Sequence, residues 1–215
     1  MCRLLAVTAA RPFAISDHLR HFADVARRSR EYQGHGWGCA WFEGDRWRTH
    51  HSILPIWQDD LSPFGQARTL MVHARSAFRD EGIAVENNMP FLSHSLAFIF
   101  NGELRGVRIA EKGRNGAEKL LRFLVRTGAA AGVEELRRSV ELTTRRSRYV
   151  RAMNMIIGLP RRFLLCTSFN EDDDYFTMHA REKADMTLVC SRPYGDETGW
   201  RSIPNGTVEA FPWFS

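Results

Sequence analysis

Nine strand-like runs recur along this chain of 215 residues, and several are apolar on both faces. A strand with one face in water alternates apolar and polar residues. A strand apolar on both faces has to be covered on both. The early runs are "CRLLAVTA" (2–9), "GWGCAWFE" (36–43), "WRTHHSI" (47–53), "TLMVHARSA" (69–77) and "SLAFIFNG" (95–102). The late ones are "YVRAMNMIIG" (149–158), "RFLLCTSFN" (162–170), "YFTMHA" (175–180) and "MTLVCS" (186–191). Such a set constrains the fold to stacked layers, with sheets lying on sheets or under helices.

Three helical stretches interrupt the runs. Residues 16–32 place Leu19, Phe22, Val25 and Ala26 on one stripe, with Ser16 as the expected N-cap. Residues 116–127 carry Ala117, Leu120, Leu121 and Leu124, and "NGAE" before them predicts an Asn115 cap with Glu118 reaching back. Residues 132–146 hold Val133, Leu136 and Val140, with charges elsewhere. Strands, then two helices, then strands predict an α+β protein with helices layered on antiparallel sheets. No repeat or low-complexity linker divides the chain, so a single domain over 2–215 is expected.

No apolar run is long enough for a membrane span, and Arg11 breaks the stretch where a secretory leader would continue. A cytoplasmic protein is expected, with its four cysteines, Cys2, Cys39, Cys166 and Cys190, as free thiols. The net charge of +5 raises polyanion binding. The cations are dispersed, however, and the densest group (Arg137, Arg138, Arg145, Arg146, Arg148, Arg151) reads as a solvated helix face, so no nucleic-acid partner is expected. No metal or other cofactor is expected either. His18 with His21 and His50 with His51 lack Cys or acid partners at ligand spacing, and "EDDD" (171–174) reads as a solvated loop.

The first candidate for chemistry is Cys2. Methionine aminopeptidase removes Met1 when the second side chain is small, which would leave a thiol and an α-amine on one residue. The amine titrates near ~7.7–8.0 and the thiol near ~8.5, so the neutral amine can take the thiol proton directly or through one water. Three other stretches add to it. "GHGWGCAWF" (34–42) is a glycine-rich turn entering a strand. "VHARSAF" (72–78) puts His73, Arg75 and Ala77 on one face, and a guanidinium in an apolar strand calls for an anion. "NNMPFLSHSLAFIFNGEL" (87–104) ends in Asn101-Gly102, whose side-chain amide and backbone N–H are two fixed donors able to hold an oxyanion. Each has a plainer alternative: a small buried thiol at Cys2, a hairpin at 34–42, a structural ion pair at Arg75, and a chain reversal at Asn101-Gly102.

Taken together, MC with a short apolar strand, then GWG, HxR, PF and NGEL in this order resemble the class II glutamine amidotransferase domain of the N-terminal nucleophile hydrolases. The likeness runs from residue 2 to about 125 and resumes in "SRPYGDETGWRSIPNGTVEAF" (191–211), which is similar to the tail of short stand-alone members. The resemblance implies a four-layer αββα sandwich of two antiparallel sheets. It implies Cys2 as nucleophile with its freed amine as base, Arg75 on the substrate's α-carboxylate, and Asn101 and Gly102 as the oxyanion hole. His73 shares the face of Arg75 and is placed with it in the substrate site.

Two departures stand out. Many members carry "TDSE" at the helix start after NGEL, with the aspartate on the substrate's α-ammonium. Here "GRNGAEKLL" (113–121) leaves Gly116 at that position and Asn115 beside it, so Asn115, Glu103 or another acid is expected to serve. "SRP" (191–193) replaces the usual "SEP". The expected activity is hydrolysis of the γ-amide of glutamine or a γ-glutamyl compound, a small-molecule substrate. The chain would act as a stand-alone glutaminase, as the ammonia-supplying subunit of a separate synthase, or as a γ-glutamyl hydrolase. The alternatives are a scaffold of the same fold without activity and, more remotely, a basic polyanion-binding module.

Overall fold

The computed structural model describes residues 1–78, 81–195 and 198–214, so Asp196 and Glu197 of the family-like tail lie outside it. In chain order the strands are β1 (Arg3–Ala14), β2 (Trp37–Glu43), β3 (Arg46–Ser52), β4 (Gln66–Ala74), β5 (Phe91–Ser93), β6 (Leu96–Arg105), β7 (Tyr149–Leu159), β8 (Arg162–Cys166), β9 (Met178–Glu182), β10 (Met186–Cys190), β11 (Arg201–Ile203) and β12 (Val208–Pro212). The helices are α1 (Ile15–Arg27), α2 (Gly116–Arg126), α3 (Val133–Arg145) and the single turn α4 (Asp173–Phe176).

The strands form two antiparallel sheets. One has seven strands in the order β11-β9-β10-β1-β4-β2-β3, the other five in the order β12-β8-β7-β6-β5. The α+β sandwich expected from the doubly apolar runs is what forms. On the outer face of the larger sheet, Leu5, Val7, Trp37 and Val72 pack under Leu19, Phe22 and Ala26 of α1. Its inner face turns Leu4, Ala6, Ala40 and Met71 towards the smaller sheet. Gly158 on β7 marks how close the sheets come: a Cβ there would lie 2.5 Å from Met71 Sδ and 2.6 Å from the Trp47 ring. By alternation, Ile99 and Ile156 share that face, and Phe98, Phe100, Met155 and Ile157 turn the other way, beneath Leu120, Leu121 and Leu124 of α2 and Leu136 of α3.

Several boundaries differ from expectation. β1 runs to Ala14 through a bulge between Thr8 and Phe13, so α1 opens on Ala14 with no side-chain cap and Ser16 lies inside the helix. α1 stops at Arg27, short of the expected residue 32. Asn101-Gly102 does not reverse the chain: β6 continues to Arg105, with Asn101 opposite Asn154 and Gly102 opposite Met153. Ladder pairing to β7 overrides the local turn preference. β4 ends at Ala74, placing Arg75 just past the strand, and Tyr175 and Phe176 sit in α4, ahead of β9. α2 and α3 begin and end within a residue of their expected limits, and Asn115 caps α2 by accepting from the Glu118 N–H at 3.0 Å. Glu118 reaches back one residue further than expected, to the Arg114 N–H at 2.8 Å.

Among the described residues no helix is long and apolar enough to cross a membrane. The α3 arginines Arg137, Arg138 and Arg145 pair at 3.7–3.9 Å with Glu134, Glu135 and Glu141 along the same helix.

Candidate active site

β1 and β4 are antiparallel neighbours with Arg3 opposite Ala74, so Cys2 and Arg75 lie together at one end of the pair. β6 brings Asn101–Leu104 to the same end from the other sheet, and the start of α2 closes the far wall. Between them lies a cleft of about 940 Å³ whose lining includes Cys2, Arg75, Gly102, Glu103, Asn115 and Gly116. Of the residues singled out in the sequence, Asn101 and His73 lie behind this lining.

Cys2 is joined to both sheets. Its N–H donates to Asn101 Oδ1 at 2.8 Å, and its Sγ lies 3.8 Å from the Ser76 carbonyl. Burial pushes the thiol's pKa up, while the chain's terminal ammonium, the Ser76 contact and Arg75 pull it down. The bond to Cys2 fixes the orientation of the Asn101 amide. With Oδ1 engaged, the fully buried Asn101 keeps Nδ2 as a donor without a partner. Gly102 follows on the strand, where a Cβ would stand 2.2 Å from the Ala152 carbonyl. A side chain here would push β7 away from β6 and displace Asn101 with it.

Arg75 is half-buried. Its Nη1 reaches Asn88 Oδ1 at 3.5 Å, and among the described residues no carboxylate pairs with it. Asn88 is itself held by donating to the Ser52 carbonyl at 2.8 Å. His73 is fully buried. Desolvation and then Arg75 hold its pKa at about 3, offset only in part by the Phe100 backbone, and neither ring nitrogen makes a hydrogen bond of normal geometry. It is a neutral imidazole packed behind the cleft.

At the far wall Asn115 is committed to structure. Its Oδ1 caps α2, and its Nδ2 reaches Asn87 Oδ1 at 3.3 Å. Gly116 faces open space, since a Cβ built there meets nothing within 4 Å. Among the described residues the cleft's acids are Glu31, Glu81 and Glu103. Glu103 is held below the usual carboxylate range by its bond to Arg105 at 2.7 Å, with Arg151 at 3.6 Å adding to the pull.

The residues around Met1 have no sequence signature. The Met1 ammonium pairs with Glu31, and its carbonyl accepts from Gln33 Nε2 at 2.6 Å and Tyr175 Oη at 2.5 Å. Arg151 braces this corner, with Asp172 at 2.7 Å, Glu171 at 3.2 Å and Glu31 at 3.8 Å. Gln33 lies just past the expected helix 16–32, Tyr175 in the expected strand 175–180, and Arg151 in the arginine group expected to be solvated; only three-dimensional proximity links them.

Among the described residues no three His, Cys, Asp or Glu side chains gather to hold a metal ion. His18 bonds Tyr194 Oη at 2.9 Å, His51 the Pro90 carbonyl at 3.0 Å, and Glu171 and Asp172 are taken by Arg151. All four cysteines are free thiols.

No family model matches the chain. It is 24% identical over 176 residues to the gamma-glutamyl-hercynylcysteine sulfoxide hydrolase of Mycobacterium tuberculosis, covering 79% of this chain and 72% of that protein. Among solved structures it resembles a glutamine aminotransferase class-II domain protein from Silicibacter pomeroyi (TM-score 0.66, 15% identity, all of both chains). It also resembles a predicted glutamine amidotransferase from Pseudomonas aeruginosa (TM-score 0.64, 15% identity, 98% of this chain and 97% of that one). A third neighbour, the glutamine phosphoribosylpyrophosphate amidotransferase of B. subtilis, aligns over 98% of this chain and 49% of its own length (TM-score 0.66, 14% identity). The fold is that of class II glutamine amidotransferase domains.

Proposed function

We propose that this chain is an amidohydrolase of the class II glutamine amidotransferase type, formed by one domain over residues 2–215. It would cleave the γ-amide of glutamine or of a γ-glutamyl compound through a thioester on Cys2. The observation that carries the reading is a single convergence. A thiol one residue from the chain start meets a guanidinium without a carboxylate partner among the described residues, and a buried amide donor, Asn101 Nδ2, that has no acceptor. The fold and the curated hydrolase relative point the same way.

In this reading removal of Met1 turns the Cys2 N–H into an α-amine, still beside Asn101 Oδ1. The amine takes the thiol proton and Sγ attacks the γ-carbonyl carbon. The developing oxyanion is met by Asn101 Nδ2 and the Gly102 N–H, and one such donor is worth about 10²–10³ in rate. The α-ammonium of Cys2 then protonates the leaving nitrogen. Water, activated by the same amine, hydrolyses the thioester to glutamate and restores the thiol. Arg75 holds the substrate's α-carboxylate. With Gly116 bare and Asn115 engaged in the cap, the substrate's α-ammonium has Glu81 and Glu103 in the same cleft. His73 supports this wall from behind without touching substrate.

The test is release of ammonia from glutamine and of amine from γ-glutamyl amides, by protein whose intact mass shows Met1 removed. Cys2→Ala should lower release by more than about 10³-fold. Release at the wild-type rate would remove Cys2 from the chemistry and end this assignment.

A further inference from the structure

The way Met1 is held points to a second recognition site beside the nucleophile. All three parts of the residue are engaged. Its ammonium sits on Glu31, its carbonyl oxygen on Gln33 Nε2 and Tyr175 Oη, and its side chain packs on the cluster of Ala152, Phe169, Tyr175 and Phe176. An ammonium and a carbonyl on one Cα, with an apolar side chain, are also the parts of a free α-amino acid.

The site is built in advance. Gln33 is fully buried, its Nε2 also donates to the Glu31 carbonyl at 2.8 Å, and its Oε1 has no partner. Tyr175 is fixed by Arg3, whose Cζ lies 3.9 Å from the ring centroid and whose Nη1 donates to the Tyr175 carbonyl at 3.2 Å. Arg3 Nε in turn donates to Ser29 Oγ, at 3.0 Å, which sits 3.4 Å from Gln33 Nε2. Once Met1 is cleaved away, Gln33 Nε2 and Tyr175 Oη lose the acceptor they share. Gln33 Nε2 keeps the Glu31 carbonyl at 2.8 Å and Tyr175 Oη at 3.2 Å, whereas the Tyr175 hydroxyl keeps a single long contact, Ser29 Oγ at 3.4 Å, so an incoming ligand oxygen restores the short bond of that hydroxyl.

The place also fits the reaction. The group that removes the thiol proton has to return it to the leaving nitrogen, so the leaving group departs beside the Cys2 α-amine. That is where Met1 lies, and both residues line one cleft.

Resting on the amidohydrolase reading above, we propose that the pocket holding Met1 becomes, in the mature protein, the subsite for the leaving group, and that this leaving group is an α-amino acid. The substrates of choice are then γ-glutamyl amino acids, with glutamine a poorer one. The Sγ–C bond forms, the C–N bond breaks, and the thiol proton passes through the Cys2 amine to the leaving nitrogen. The product α-ammonium settles on Glu31, and its carboxylate takes the two donors that hold the Met1 carbonyl. Water then frees glutamate from the thioester.

Tyr175→Phe removes one hydroxyl and keeps the ring under Arg3. In the mature enzyme, kcat/KM for γ-glutamyl-methionine should fall about 10- to 100-fold, the worth of a hydrogen bond to a carboxylate. Glutamine and γ-glutamyl-methylamide, whose leaving groups lack the carboxylate, should change by less than about threefold. An equal loss on all three substrates, or no loss on any, overturns the subsite. A second measurement needs no turnover: Cys2→Ala protein shown by mass to lack Met1 should bind free methionine in a calorimeter, about tenfold or more weaker with Tyr175→Phe added. No binding, or binding indifferent to that hydroxyl, overturns the proposal as well. If the wild-type enzyme cleaves none of the three amides, the amidohydrolase reading fails, and the methionine titration still decides on the pocket.

Discussion

Arg75 shows how burial turns a common side chain into a receptor. It is partly withdrawn from water, and among the described residues its side-chain hydrogen bond goes to an amide oxygen at 3.5 Å and to no carboxylate. Desolvation lowers its pKa, yet a guanidinium starts so high that it stays charged. Its planar fork suits a carboxylate bidentately, and an ammonium at the same place does not. Arg75→Lys should therefore raise KM about tenfold and leave kcat within about threefold, because the group it grips is remote from the bond that breaks. Steady-state kinetics on glutamine decide this, and a fall in kcat at constant KM would take Arg75 off the α-carboxylate. Arg75, Cys2, Asn101 and Gly102 were legible in the sequence because each stands in a short ordered motif, and the fold brings them to one end of the sandwich. Glu31, Gln33 and Tyr175 were not, since single polar residues in unrelated segments carry no pattern until the chain is folded. His73 was misplaced by the period-two argument alone. It shares the strand face of Arg75, but β4 ends at Ala74, so Arg75 emerges into the cleft while His73 stays between the sheets.

Among the elements, α2 links stability to the cleft. Its N-cap is Asn115, and its first turn, Gly116 and Ala117, forms part of the cleft wall. Asn115→Ala removes the acceptor for the Glu118 N–H and should cost about 1 kcal/mol. Asn115→Asp keeps an acceptor and places a negative charge at a helix N-terminus, so it should hold wild-type stability within about 0.5 kcal/mol. Urea unfolding of the two variants separates these outcomes, and equal losses would mean that the cap contributes nothing beyond the amide's link to Asn87. This helix was readable because its stripe and its cap agree. The opposite case is α1. Ser16 looked like its cap, yet the bulged end of β1 delivers the chain to Ile15 already in place, and tertiary pairing with β4 sets the boundary instead. At Asn101-Gly102 the same competition was decided by the seven other β6–β7 pairs, which outweigh one local turn preference.

At the scale of the whole molecule, covering both faces of a sheet has a consequence for acid stability. The layers enclose His73 completely and His18 in large part, and burial is the first cause holding their pKa values at about 3 and about 4. An unfolded histidine titrates near ~6.5. The folded state thus refuses protons that the unfolded chain accepts between these values. Stability from the neutral imidazoles is complete above pH ~6.5 and is lost as pH falls towards the folded pKa. For His73 the linkage between pH 7 and pH 4 amounts to about 3 kcal/mol. The acids act in the same direction at lower pH, with Glu118 held at about 2 by Arg114, so the histidine share has to be isolated by difference. His73→Leu puts an apolar side chain of similar reach between the sheets and removes the proton acceptor. Urea unfolding at pH 7, 5.5 and 4 should show wild-type stability falling more steeply than that of His73→Leu, with the gap between them widening towards acid by about 3 kcal/mol. Parallel pH profiles for the two proteins would mean that His73 takes up its proton in the folded state, and that the space between the sheets is wetter than the packing of Leu4, Met71 and Ile99 allows.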